Sequence, residues 1–298
     1  MRRVDGWRDR LTVMAFLAPA LILIGVFLVW PALWALYQSF TNRALTGLTA
    51  MNPSFVGLDN YTRLLADADF YASLLRTVTF VFFSAIVGQT LFAFLIAYLM
   101  ANRPGWRLRA VPVFAVIFVL PLAVPETVAA LTWASMVNGT ESGLINRMIG
   151  TLGAGPIQWL QDYAMETVTI VNIWRGLSFA MVLFIAALEG VPRDVLEASM
   201  VDGANAWQQL RRVTIPLLRP QILTFLMLTT ITTFGIFGLV YFLTRGGPGN
   251  ATEIVGIYIY NQAFQFFEIG YGSAAGVLLL AILLGLGIYY VRLMRDQV

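Results

Sequence analysis

The chain has 298 residues, of which 59% are hydrophobic and 12% are charged, and its net charge is +3. Its mean hydropathy of +0.76 lies in the range of integral membrane proteins. All 19 basic residues are arginine, and the sequence contains no Lys, His or Cys. These absences exclude a P-loop ATPase site, His-based triads, thiol nucleophiles and ordinary zinc sites. A hydrolytic membrane enzyme is therefore a poor starting hypothesis, and we expect no catalytic residue and no metal site.

Six apolar segments are long enough to cross a membrane, which takes about 20 predominantly apolar residues per helix. In chain order they cover about residues 12–38, 74–100, 111–133, 166–189, 220–244 and 270–292. The first is too long, and too poor in small residues at a cleavage site, to be a removable signal peptide. We predict an all-α integral membrane protein with six transmembrane helices, forming a single domain over residues 1–298.

The distribution of arginine indicates the orientation, because short cytoplasmic loops are enriched in this residue. With the N-terminus inside, thirteen arginines lie in inner segments and Arg175 lies within a span. The five in outer segments are Arg43, Arg63, Arg76, Arg147 and Arg245. We therefore predict a multi-pass protein with both termini in the cytoplasm.

The predicted cytoplasmic loop 190–219 begins with an amphipathic helix. Pro192 suits the first turn of a helix, because its missing N–H would have no partner there. The least polar face of this helix carries Val195, Leu196, Ser199 and Met200. Gly203 adopts positive φ without penalty, so we expect the helix to end there and the chain to change direction.

A second short helix is predicted after Gly203, with Trp207 and Leu210 on one face, and Pro216 is expected to interrupt it. The two helices would expose apolar side chains below the membrane. Periodicity alone leaves two interpretations open: a surface that binds a partner, and an interfacial helix that lies on lipid headgroups.

One motif of this loop resembles the EAA loop of ABC importer permeases, the signature of the helices that couple them to ATPase subunits. It reads EASMVDGANAWQQLRRVTIPLL, and the residues at the expected spacing are Glu197, Ala198, Asp202, Gly203, Ala204 and Pro216. Ser199 replaces the usual second alanine, and Leu210 replaces a common phenylalanine. The stretches FVGLDNYTRLL, VNIWRGLSF and GGPGNATE also resemble maltose-type carbohydrate permeases, and the last favours their first, "F"-type subunit.

The resemblance implies the type I ABC importer permease fold, with 190–219 as a cytoplasmic coupling loop. It places nine residues in contact with an ATPase subunit: Glu197, Ala198, Ser199, Met200, Asp202, Gly203, Ala204, Trp207 and Pro216. We expect the apolar edge of Val195, Leu196 and Met200, together with Trp207, to dock in a groove of that subunit.

The function implied by the resemblance is that of a non-catalytic permease subunit, which imports a di- or oligosaccharide or a sugar derivative through a bacterial or archaeal inner membrane. The implied partners are a second homologous permease, two ATPase subunits, an extracytoplasmic sugar-binding protein and the lipid bilayer. ATP and Mg would bind to the ATPase subunits, so this chain is expected to bind no cofactor. No nucleic acid is expected as a partner.

The sugar-contacting positions of the family fall on the fourth and fifth spans. Matched position by position, they are Asn172, Arg175, Gly176, Phe179, Thr229, Thr232, Thr233 and Ile236. Arg175 and Thr233 depart from the maltose permease, which has an apolar residue and an asparagine there, so maltose itself is not implied. For each threonine, lining of a pathway and packing between helices stay open as alternatives. Phe179 is expected to pack.

Glu126 and Arg175 are ionisable residues within predicted spans, where charges are costly unless they are paired or face a cavity. Counted from the outer ends of the third and fourth spans, their depths agree to within about one helical turn. Two interpretations follow: a buried ion pair, or a pathway in which Arg175 contacts hydroxyls or an anionic group of a ligand.

Two alternatives to sugar import stay open. A subunit of a secondary transporter would usually have more spans, inverted repeats and helices broken at the midplane, none of which the sequence indicates. An importer of glycerol phosphate is the alternative within the same family.

Overall fold

The computed structural model describes residues 7–101 and 116–295. Within these residues the regular secondary structure is helical, apart from one isolated β-bridge between Thr41 and Phe55. The helices are α1 (Trp7–Ile24, continued by the π-helical turn Gly25–Val29 and by Trp30–Gln38), α2 (Leu48–Met51), α3 (Asp59–Leu65), α4 (Ala68–Met100), α5 (Val116–Ala123), α6 (Glu126–Met136), α7 (Leu144–Gly150), α8 (Trp159–Asp162), α9 (Ala164–Glu189), α10 (Arg193–Val201), α11 (Ala206–Phe234), α12 (Gly238–Thr244), α13 (Val255–Tyr260) and α14 (Ile269–Arg295).

Five described helices are long and apolar enough to cross a membrane: α1 from Thr12 onward, α4, α9, α11 and α14. Helices α5 and α6 together would make a sixth span, but they are bent by 113°. The third span predicted at 111–133 corresponds to this bent pair, and residues 111–115 lie outside the described part. The bend follows from Pro125, which forces Val124 into an extended conformation (φ −85°, ψ 121°) and ends α5.

The fifth predicted span also differs from the structure. Helix α11 ends at Phe234, and the short helix α12 starts again at Gly238. Pro216 was expected to interrupt the second helix of the loop, but α11 continues through it. It lies just after a π-helical turn, Leu210–Thr214. The altered hydrogen bonding of that turn accommodates a residue without an N–H donor. The second helix of the loop is thus the first part of α11.

The two breaks, α5–α6 and α11–α12, were not expected from the sequence. The absence of broken helices was a reason to disfavour a secondary transporter, yet the described chain contains two apolar segments that are interrupted. Both breaks coincide with helix-breaking residues, Pro125 in one case and Gly235 with Gly238 in the other. The class of transporter must therefore be decided by other evidence.

The chain divides into two compact units. The first comprises the residues up to Asp67 together with Ile259–Leu280, and the second comprises Ala68–Tyr258 with the residues from Ala281 onward. In the first unit, the Asn60 carboxamide donates hydrogen bonds to the carbonyls of Ser39 and Thr41, each at 2.8 Å. These buried bonds hold α3 against the end of α1.

The described residues of the second unit include two apolar cores. One lies around Phe80 of α4, Val168 and Val171 of α9, and Leu239 of α12, and it packs α6 and α12 against the long helices. The other joins α4, α9, α10 and the start of α11, with Phe184 as one of its largest buried side chains. Both cores share the same long helices, α4 and α9.

Between the two cores, four buried polar side chains connect α4, α9 and α11, and we refer to them as the Gln89 network: Ser84, Gln89, Asn172 and Thr229. The Gln89 carboxamide donates to the Asn172 carbonyl (3.1 Å) and accepts from the Thr229 hydroxyl (2.7 Å). The Asn172 carboxamide donates to the Ser84 hydroxyl (3.0 Å). Hydrogen bonds from these side chains therefore join the long helices α4, α9 and α11 to one another.

Replacement of Gly176 by alanine is expected to destabilise this packing. A Cβ at Gly176 would overlap the carboxamide of Gln89, which would then have to leave its partners Asn172 and Thr229. Overpacking and the loss of buried hydrogen bonds each cost about 1–3 kcal/mol. We expect Gly176→Ala to lower the midpoint of thermal unfolding of the purified protein in detergent by several degrees.

Gly285→Ala is the matched control, because a Cβ at Gly285 of α14 meets no atom within 4 Å. Alanine favours a helix over glycine by about 1 kcal/mol, so this variant should unfold at the same temperature or slightly higher. Equal midpoints for the two variants would contradict the close approach of α9 to Gln89.

Candidate functional site

A cavity of about 740 Å³ lies within the second unit, between α4, the α5–α6 bend, α9 and the α11–α12 break. Its wall includes every residue that the sequence predicted for a pathway: Glu126, Asn172, Arg175, Gly176, Phe179, Thr229, Thr232, Thr233 and Ile236. Residues from distant parts of the chain meet here because the two broken segments turn back toward the long helices.

The predicted polar residues of the wall divide into two groups. Asn172, Thr229 and Thr233 are buried, and the first two belong to the Gln89 network, so their polar groups serve packing between helices. Thr232 is exposed to the cavity, although its hydroxyl donates to the Leu228 carbonyl at 2.8 Å. Thr229 thus combines a place in the wall with a hydrogen bond between helices, whereas Thr232 is exposed in the wall.

Aromatic rings form much of the apolar wall. Phe179, which was expected to pack, is 45% exposed, and its ring lies 6.3 Å from that of Phe225. Phe237, at the break between α11 and α12, adds a third ring to the wall. The cavity therefore offers flat apolar faces beside its polar groups.

Sequence reasoning missed Gln89 and Gly238 as wall residues. Gln89 is an isolated carboxamide within an apolar span, which is by itself a signal of function or of helix packing in a membrane. Gly238 carried no comparable signal, because its importance depends on a break that hydropathy does not predict. A Cβ at Gly238 would lie 2.9 Å from Oε1 of Glu126, so glycine leaves room for that carboxylate.

Glu126 and Arg175 are the ionisable residues among those that line the described cavity. Glu126 is the first residue of α6, and its Oε1 accepts a hydrogen bond of 2.6 Å from the Leu239 N–H in the first turn of α12. Its Oε2 lies 3.7 Å from Nη2 of Arg175, and the side chains are 31% and 35% exposed. Charge-assisted hydrogen bonds measure about 2.7–2.9 Å, so this ion pair is loose whereas the bond to Leu239 is tight.

The chemistry of the cavity suits binding. In the described chain, no group of three or more His, Cys, Asp or Glu side chains is placed to hold a metal ion. The wall presents a guanidinium, a carboxylate, a hydroxyl and aromatic faces, which together can contact a polyhydroxylated or charged small molecule.

The loop between α9 and α11 has a well-defined turn at Gly203. Here φ is +81°, and the Ala204 N–H donates to the Ser199 carbonyl while the Gly203 N–H donates to the Met200 carbonyl, each at 3.0 Å. These two bonds form the Schellman motif that ends a helix with a left-handed residue. The prediction of a helix end and a change of direction at Gly203 agrees with this geometry.

The start of α11 is fixed by a capping box that sequence reasoning did not use. The Asn205 side chain accepts from the Gln208 N–H, and the Gln208 side chain accepts from the Asn205 N–H, each at 2.9 Å. The Gln209 carboxamide then donates to the Leu196 carbonyl and to the Ser199 hydroxyl, at 3.1 and 2.9 Å. The angle between α10 and α11 is therefore set by hydrogen bonds on both sides of Gly203.

The least polar face of α10 does not point in one direction only. Leu196 packs in the core with Leu188 and Leu210, and Ser199 is buried, so these two side chains do not belong to the exposed part of the face. They instead attach α10 to its own chain. The large apolar side chains that remain exposed between residues 193 and 207 are Val195 (41%), Met200 (42%), Val201 (88%) and Trp207 (66%). Of the other predicted contact residues, Glu197, Ala198, Asp202, Gly203 and Pro216 are exposed and Ala204 is half-buried.

Comparisons with known proteins agree with this arrangement. Residues 93–296 match the family described as "Binding-protein-dependent transport system inner membrane component". The chain is 33% identical over 295 residues to the sulfoquinovosyl glycerol transport system permease protein of Agrobacterium fabrum (strain C58), covering 97% of this chain and 92% of that protein. It is 32% identical over 279 residues to the trehalose/maltose transport system permease protein of Thermococcus litoralis, with coverages of 93% and 91%.

The fold is similar to that of a chain in the crystal structure of a bacterial alginate ABC transporter in complex with an alginate pentasaccharide-bound periplasmic protein. The TM-score is 0.81 at 20% identity, covering 99% of this chain and 98% of that one. This likeness concerns the fold, and the sequence matches establish the family. The chain belongs to the binding-protein-dependent inner membrane components, the non-catalytic permease subunits of ABC importers.

Proposed function

We propose that this chain forms half of the pathway through which an ABC importer moves a carbohydrate or sugar derivative, with the 740 Å³ cavity as part of that pathway. One observation carries the proposal: the short helix α10 is connected in sequence to both long helices that line the cavity, α9 and α11. Helix α9 ends at Glu189 just before α10, and α11 starts at Ala206 just after it. A displacement of α10 would therefore be transmitted along two continuous helices to the cavity wall.

The source of energy lies in other chains. This sequence contains no Lys and hence no P-loop, and ATP and Mg would bind to two partner ATPase subunits. A second homologous permease would supply the other half of the pathway, and an extracytoplasmic binding protein would deliver the ligand. The periplasmic protein in the alginate transporter supports this last assignment by analogy of fold.

The exposed part of α10 and the start of α11 would contact an ATPase subunit. Val201 and Trp207 are 88% and 66% exposed in a charged segment. Covering such large apolar side chains with a partner is favourable, so their exposure indicates a contact surface. The opposite side of this segment is attached to the rest of the chain. Leu196 packs in the core, and the hydroxyl of Tyr98 on α4 donates a 3.2 Å hydrogen bond to the Ala206 carbonyl. The proposed contact surface is thus rigidly attached to the cavity helices.

The distribution of arginine supports an orientation in which both termini and α10 face the cytoplasm of a bacterial or archaeal cell. The chain has no native Cys, so single cysteines can test this directly. Asn250 and Asn205 are both exposed, and they would lie on opposite sides of the membrane.

We expect Asn250→Cys to react with a membrane-impermeant maleimide added to intact cells or spheroplasts, because residue 250 would face the outside. Asn205→Cys should react only after the membrane is permeabilised. Labelling of both cysteines after permeabilisation is the control for exposure. The reverse pattern in intact cells would contradict the proposed orientation.

Gly203→Val should uncouple the importer. A β-branched residue at φ +81° is strained, so the Schellman motif would distort and the angle between α10 and α11 would change. We expect the variant to insert into the membrane and to pair with the second permease. The ATPase activity stimulated by loaded binding protein should fall at least about tenfold, which corresponds to a rise of about 1.4 kcal/mol in activation free energy.

Gly203→Asn is the matched control, because asparagine tolerates positive φ far better than valine and should keep most of the stimulation. Co-purification of the ATPase subunits reports whether docking itself is lost. Full stimulation of Gly203→Val would mean that the segment is an interfacial helix on lipid rather than a coupling element.

A further inference from the structure

We infer that the cavity selects a ligand with an anionic group, a phosphate, sulfonate or carboxylate on a polyol or glycoside, and that the guanidinium of Arg175 binds this group. The inference rests on the proposed function, because it names the ligand class of the same cavity.

Most neutral polar groups of the wall are occupied by one another. The carboxamides of Gln89 and Asn172 and the hydroxyl of Thr229 bond within the Gln89 network. The hydroxyl of Thr232 donates to a helix carbonyl of its own turn. Few neutral donors in the described wall, the hydroxyl of Thr233 among them, are therefore available to the hydroxyls of an uncharged sugar.

Arg175 differs from these residues. Its only close charged neighbour among the described residues is Glu126, at 3.7 Å from Nη2, which is longer than a charge-assisted hydrogen bond. A guanidinium has five N–H donors in a planar fork that matches the oxygens of a carboxylate or phosphate. The side chain is 35% exposed, so several of these donors can face a ligand in the cavity.

Glu126 does not need Arg175 to be held in place. Its Oε1 accepts the 2.6 Å bond from the Leu239 N–H, and Gly238 leaves the space that this geometry requires. A ligand anion can therefore displace the loose Glu126–Arg175 contact while the carboxylate remains bonded to α12. Because Glu126 would repel the anion, its neutralisation should strengthen anion binding.

The remainder of the wall fits the carbon skeleton of such a ligand. The exposed ring of Phe179 and the neighbouring rings of Phe225 and Phe237 provide apolar faces beside Arg175. Because Arg175 is only partly exposed, its charge is screened less than it would be in open water. The arrangement thus separates an anion-binding corner from an apolar, aromatic wall.

The first test measures the electrostatic preference of the cavity in the assembled importer. Thr232→Cys provides a single thiol in the wall, and its rates of modification are compared for two methanethiosulfonates of similar size, one carrying a sulfonate and one a trimethylammonium. We expect Arg175→Gln to lower the anionic-to-cationic rate ratio about tenfold, as removal of one nearby charge implies. Arg175→Lys should retain most of the ratio, and Glu126→Gln should raise it.

An unchanged ratio in Arg175→Gln would overturn the inference. So would a failure of both reagents to modify Thr232→Cys, since an aqueous anion could not then reach Arg175. Because this assay needs no knowledge of the natural ligand, its result is independent of whether the chain imports carbohydrates.

The second test uses ATPase stimulation of the complete importer in proteoliposomes, with digalacturonate, sn-glycerol 3-phosphate and maltose as probes. We expect an anionic probe to stimulate the wild type, and Arg175→Gln to reduce that response about tenfold while Arg175→Lys reduces it less. Stimulation by maltose alone would overturn the inference. If no probe stimulates but the cysteine result holds, the anion site stands and these three compounds are excluded as ligands of the importer.

Discussion

The buried carboxamide of Gln89 is the interaction on which the rest of this structure depends. In a membrane core, an unsatisfied amide costs several kcal/mol, so its position is strongly constrained by its partners. Gln89 on α4 finds them on α9 and α11, at the Asn172 carbonyl and the Thr229 hydroxyl. The absence of a side chain at Gly176 allows this approach, and the neighbouring Arg175 is thereby brought to the cavity.

Two helix breaks complete the site that this network begins. The breaks at Pro125 and at Gly235–Gly238 turn α6 and α12 back toward α9, and Glu126 joins them through its bond to the Leu239 N–H. On the other side of the network, α9 and α11 continue without interruption to α10. The same two helices therefore form the wall of the cavity and carry the segment proposed to contact an ATPase, which gives a physical route for coupling.

Much of this architecture could be predicted from the sequence, because desolvation of apolar side chains governs where long helices form. The turn at Gly203 was also predictable, since few residues other than glycine adopt its φ of +81° cheaply. Hydropathy is averaged over a window of many residues, so a single residue such as Pro125 or Gly235 changes it little and the breaks at these positions were missed. A helical wheel identified the apolar face of α10 but could not tell that Leu196 packs on its own chain. The partners of Gln89 and the tight bond of Glu126 depend on tertiary contacts that no local pattern encodes.

The most direct test of the central role of Gln89 is a double-mutant cycle with Gln89→Leu and Thr229→Val, measured as the free energy of unfolding in detergent. Each single change leaves a buried polar group without its partner, whereas the double change removes both groups. The structure predicts that the double variant is more stable than the sum of the single losses implies, with a coupling energy of about 0.6–1.7 kcal/mol, the range for hydrogen bonds between membrane helices. Strictly additive losses would show that Gln89 does not hold α4 and α11 together, and would contradict this account of how the cavity is built.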